Sequence, residues 1–108
     1  MKNGKREYKR YKIFADINIT VKKLKTTGVA YNVSCSGISF VADIKFKVGD
    51  ICIITFQELR AKSFLLKGQI INIKNIESAY DLKRYGIQFN KPIDKDTIDT
   101  IVDIFKLK

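Results

Sequence analysis

Between Tyr11 and Val21 the chain alternates: Ile13, Ala15, Ile17, Ile19 and Val21 fall on one face, with Lys12, Phe14, Asp16, Asn18 and Thr20 on the other. A helix repeats its faces every 3.6 residues or so and cannot hold such a period of two, so the stretch must be a strand with one side in a core and the other in water. A single strand has no stability of its own, and the rest of the chain has to supply partners on both edges.

The remaining pattern supplies them. Lys22 to Lys25 reads as a basic turn, and Thr26 to Val33 as a second strand interrupted at Gly28, which marks a bulge or a close backbone approach. Ser36 to Ala42 reads as a third strand and Asp43 to Asp50 as a loop. Ile51 to Phe56 is apolar on both faces and is predicted to be a strand covered on its outer side as well. Ser63 to Ile73 reads as a fifth strand bending at Gly68, Lys74 to Arg84 as a polar loop, and Tyr85 to Phe89 as a sixth strand. After Pro92 the period changes. Ile98, Ile101, Val102 and Phe105 stand at i, i+3, i+4 and i+7, which predicts an amphipathic helix over 94–107, begun by Asp94 or Asp96 and covering the strands.

Short strands followed by one helix predict a mainly β fold, a small six-stranded antiparallel β-barrel or a strongly bent sheet, with a C-terminal α-helix. The 108 residues are enough for one domain with a modest core. Its expected parts are a basic arm at 1–12, the barrel at 13–89 and the helix at 94–107. Periodicity alone leaves OB-like and SH3-like barrels open.

Charge narrows the function. The formal net charge is +10, which favours anionic partners such as a nucleotide, a nucleic acid or an acidic lipid surface. The chain has no histidine, no carboxylate pair at a recognisable spacing and no activated nucleophile, so catalysis is not expected. Cys35 and Cys52 form no Cys-x-x-Cys pair, and without histidine a zinc site lacks its usual ligands; both thiols are expected to be reduced and structural, with no cofactor. No run of eighteen apolar residues is present, and the Lys-rich N-terminus leads into no apolar segment, so a cytoplasmic location is expected.

Two polar stretches stand out against this frame. Met1 to Lys12 carries Lys2, Lys5, Arg6, Lys9, Arg10 and Lys12 against Glu7, too little apolar surface to pack, and is expected to be mobile until it orders over an anion. In an extended arm Arg6 and Arg10 lie on one side, roughly 13 Å apart, with Tyr8 between them, so they can straddle two phosphates. Asn32-Val33-Ser34-Cys35-Ser36-Gly37 reads as a tight, polar, exposed corner, with Gly37 free to take a positive φ. Taken alone, it is a hairpin turn.

Taken together, Arg6-Glu7-Tyr8-Lys9-Arg10 and Asn32-x-Ser34-x-x-Gly37 resemble the two-part signature of the PilZ domain family, and Tyr85-Gly86-Ile87-Gln88-Phe89 is similar to that family's closing strand. The resemblance runs from about Lys5 to Phe89. It implies a six-stranded barrel with a C-terminal helix that binds the bacterial second messenger cyclic di-GMP. Arginine's planar fork suits both phosphate oxygens and the O6/N7 edge of guanine, roles that fall to Arg6 and Arg10. The Asn32 carbonyl can accept from guanine N1–H and N2–H; Asn in place of the family's alternative Asp gives up a charged acceptor and some affinity. Ser34 can bond the ligand or cap its own turn, and Gly37 lets backbone and ligand come close. Lys5 stands where some members carry an arginine that helps to hold a second, stacked ligand, and it keeps the charge without the fork. Arg84 and Tyr85 are further rim candidates.

The expected function is therefore reception of cyclic di-GMP, relayed to a separate downstream protein when the arm orders. Two alternatives remain. One is a small basic barrel that binds single-stranded nucleic acid, with Tyr8, Tyr11 and Phe14 as stacking surfaces. The other is a PilZ-like interaction module that binds no ligand.

Overall fold

The structure, a computed structural model, describes residues 9–43, 45–76 and 82–107. It contains strands β1 (Tyr11–Val21), β2 (Leu24–Val33), β3 (Gly37–Ala42), β4 (Ile51–Phe56), β5 (Leu65–Asn75) and β6 (Lys83–Phe89), then helix α1 (Lys95–Phe105). A short 3-10 turn at Leu59–Ala61, not predicted from the sequence, links β4 to β5.

The strands close in the order β1-β2-β3-β6-β5-β4, every pair antiparallel. β1 points its side chains as its alternation predicts: Ile13, Ala15, Ile17, Ile19 and Val21 are buried, while Lys12, Phe14, Asp16 and Asn18 face water. Ile54, Phe56, Leu66, Ile70, Phe40, Tyr85 and Ile87 fill the lumen from the other strands. Closure needs local bends, and register shifts supply them between Lys12 and Ala15, Ala30 and Asn32, and Ile70 and Asn72. Gly28 is a close approach, because a Cβ there would sit 2.6 Å from the Val41 carbonyl oxygen.

The helix begins where Asp94 accepts from the Thr97 N–H at 3.3 Å and the Thr97 hydroxyl at 2.7 Å, an N-cap that settles the choice between Asp94 and Asp96. These bonds hold the exposed Asp94 carboxyl below its ordinary pKa. Ile98, Ile101 and Phe105 form the buried stripe, packed toward β1 and the 3-10 turn, and the Phe105 ring stacks on Phe56 with centroids 4.9 Å apart.

Two expectations about the strands need correction. The outer face of β4 is not covered by the helix: Ile51 is 45% exposed, and Ile53 is half-buried. The stretch predicted as the loop 74–84 is partly strand, because β5 and β6 continue to an Asn75–Lys83 pair closed by Lys83 Nζ donating to Asn75 Oδ1 at 2.7 Å. Here the ladder runs past the core, so both faces are wet and no alternation marks the strands. Tyr11 and Lys12, which the sequence placed both in the basic stretch 1–12 and in the first strand, lie in β1 and pair with Val33 and Asn32.

Candidate functional site

The two halves of the sequence signature meet through the β1–β2 ladder. Pairing of Lys12 with Asn32 sets the end of the arm beside the start of the hexapeptide. Across that edge Arg10 Nη1 donates to Asn32 Oδ1 at 3.3 Å, with Arg10 exposed and Asn32 half-buried. The bond is long and water can compete for it, so it positions the two groups more than it stabilises the fold. Arg6 and Lys5 lie outside the described residues.

The corner after β2 is built from its own side chains. Ser34 is buried; its hydroxyl accepts the Ser36 N–H at 3.1 Å and lies 3.0 Å from the Ser36 hydroxyl, while its N–H donates to the Gly37 carbonyl at 2.9 Å. Of the two roles expected for Ser34, turn capping is the one the structure displays. The corner is also less exposed than predicted. Phe89 N–H donates to the Ser36 carbonyl at 2.9 Å and Ile93 N–H to the Cys35 carbonyl at 2.8 Å, so the chain leaving β6 crosses it.

Gly37 does not adopt the left-handed conformation that its turn position suggested; among the described residues only Lys22 and Gly49 have positive φ. It is paired with Gln88, and a Cβ in its place would overlap the Ile87 carbonyl oxygen. Its smallness lets β3 close against β6.

Tyr85 is not a rim residue. It is fully buried, stacks with Phe40 at 5.3 Å between centroids, and its hydroxyl accepts from the Phe46 N–H at 3.2 Å. Burial pushes its pKa up. Arg84 is exposed, and its guanidinium lies 5.8 Å from the Tyr31 ring centroid. Tyr31 was not singled out from the sequence. It is the extra residue of the β2 bulge, where pairing passes from Ala30–Phe40 to Asn32–Ser39, and a bulge in a strand with no Gly at that position leaves no sequence signal.

Of the aromatic residues considered for stacking, Phe14 is 61% exposed on the outer face of β1; Tyr11 packs against the core with Lys9 Nζ 5.3 Å from its ring centroid, and Tyr8 lies outside the described residues. Among the described residues no group of three or more His, Cys, Asp or Glu side chains converges as a metal site. Both cysteines are free, and burial drives the Cys52 thiol up to about 12. No helix among the described residues is long and apolar enough to cross a membrane.

Comparison with known proteins bears on the fold and the family. No curated protein matches the sequence. Among solved structures, the chain is similar to the Bacillus subtilis inhibitor of motility MotI/DgrA, with a TM-score of 0.70 at 16% identity over 93% of this chain and 49% of that one. The chain thus spans about half the length of that relative, and at such identity the likeness is one of fold. The family model of the PilZ domain matches residues 4–106, nearly the whole length, and the chain belongs to the PilZ domain family.

Proposed function

We propose that this PilZ domain is a receptor module for cyclic di-GMP, bound over the edge where β1 and β2 begin and end together. The observation that carries the reading is the 3.3 Å contact of Arg10 with Asn32, which joins the two signature halves at one place on the barrel surface. Arg6 and Arg10 fork onto the phosphates and the guanine O6/N7 edge, and Asn32 Oδ1 accepts from the guanine N1–H and N2–H. Because the Arg10–Asn32 bond is long and exposed, little is lost when the ligand replaces it. Lys5 adds charge. Ser34 and Gly37 act one step back: the hydroxyl holds the corner that presents Asn32, and the glycine seats β3 beneath it. The arm orders over the bound nucleotide and alters the surface offered to a downstream protein, so the module signals through a partner in the cytoplasm.

Equilibrium binding of cyclic di-GMP and cyclic di-AMP to the parent and to Arg6→Ala, Arg10→Ala and Asn32→Ala tests this. A charged hydrogen bond is worth about 1.5–3 kcal/mol, so each arginine change should weaken cyclic di-GMP binding by about 10- to 140-fold. Asn32→Ala should erode the preference for guanine over adenine by about 1–3 kcal/mol. Unchanged affinity in both arginine variants would sink the assignment, and equal losses for both dinucleotides would remove Asn32 from recognition. The nucleic-acid alternative draws on the 61% exposure of Phe14 and predicts instead tight, salt-sensitive binding of single strands.

A further inference from the structure

The signature corner occupies one end of β2, and the β1–β2 hairpin tip occupies the other, ten residues or roughly 30 Å away. At that far end the hairpin tip and the 45–50 loop stand side by side around an open hollow of about 490 Å³. Leu24 and Phe46 contribute to its apolar floor, and Lys22, Lys23, Lys45 and Lys47 stand around its rim. All four lysines are exposed, and none is in an ion pair among the described residues. Asp50, the acid of the hollow, does not neutralise them through a side-chain pair; its carboxylate accepts the Lys47 N–H at 2.9 Å and closes the loop. Each of the two segments also exposes one large apolar side chain, Leu24 at 47% and Val48 at 62%.

We propose that this end of the barrel docks on an anionic phospholipid bilayer, with headgroup phosphates among the four lysines and Leu24 and Val48 in the interfacial layer. Cationic side chains flanking separately exposed apolar ones are what an anionic membrane surface attracts and accepts. A single-stranded nucleic acid would need rings to stack on, and Phe46 is only 6% exposed. An acidic protein would satisfy the lysines, but a protein interface centres on a continuous packed patch, whereas here the exposed apolar groups, Leu24 and Val48, stand on two separate segments. The inference stands apart from the nucleotide site and survives if that site binds nothing.

The test is co-sedimentation of the whole chain with vesicles of phosphatidylcholine alone and of an equal mixture with phosphatidylglycerol, at near-physiological salt. Because the chain is strongly basic, the reversal Lys45→Glu/Lys47→Glu is compared with the charge-matched Lys62→Glu/Lys91→Glu, and Leu24→Ser/Val48→Ser probes insertion at unchanged charge. Thermal melts establish that each variant folds. Binding should appear only with phosphatidylglycerol, fall about tenfold or more on Lys45/Lys47 reversal, fall several-fold for the serine pair, and change little in the charge-matched control. The proposal is overturned by absence of binding to the mixed vesicles, by equal losses in the two charge variants, or by indifference to the serine pair. It is equally overturned if an oligo-dT strand or poly-glutamate binds this end while the mixed vesicles do not.

Discussion

Replacing Gly37 by alanine separates two reasons for a glycine in the signature corner. Gly37 opens β3 opposite Gln88, and an added Cβ would overlap the Ile87 carbonyl oxygen. Neither backbone can retreat freely, since Ser34 N–H is bonded to the Gly37 carbonyl and Phe89 N–H to the Ser36 carbonyl, both at 2.9 Å. The φ of Gly37 lies outside the left-handed region, so the cost is steric rather than conformational. Overpacking of this kind costs about 1–3 kcal/mol. For a domain of this size each kcal/mol moves Tm by about 4 °C, so Gly37→Ala should melt roughly 4–12 °C below the parent by circular dichroism, whether or not nucleotide is present. An unchanged Tm combined with lost affinity for cyclic di-GMP would refute the reasoning and assign the glycine to the ligand.

Phe105→Ala should destabilise by about 3–5 kcal/mol in urea titration, because it removes the ring stacked on Phe56 and opens the joint between helix and barrel; a loss under 1 kcal/mol or so would mean that the helix is not part of the core. With its pKa at about 12, Cys52 should resist a thiol-reactive disulfide reagent at mildly alkaline pH until urea is added. The same shift has a pH consequence. The unfolded thiol ionises near 9.0 while the folded one holds its proton to about 12, so stability is full below pH 9 and falls between 9 and 12, with Tyr85 contributing in the same direction. A Cys52→Ala variant should show a shallower alkaline decline, and an identical one would contradict the burial argument.

What was legible in the sequence follows from where water sits. β1 could be read to the residue because one face is buried and the other wet along its whole length, and α1 because Ile98, Ile101 and Phe105 must share a stripe. The ends of β5 and β6 were not, since their residues beyond the core are polar on both faces and only the ladder itself marks them as strands. Apolarity misled at β4, where Ile51 and Ile53 suggested a cover that α1 does not supply. In the site, it was the resemblance to the family signature that brought Arg10 and Asn32 together, and the structure has them in contact, but the duties of Ser34 and Gly37 depend on backbone groups of Ser36 and Ile87, and Tyr31 owes its position to a bulge. Tyr85, adjacent to Arg84 in a strand, points the other way and belongs to the core.

Calorimetric titration of the purified chain with cyclic di-GMP at near-physiological salt, against cyclic di-AMP and a short single-stranded RNA, tests the receptor reading most directly. Saturable heat with the guanine dinucleotide alone is the predicted result, and its stoichiometry would show whether Lys5 supports one bound molecule or a stacked pair. Heat with the RNA alone, or with none of the three, would contradict it.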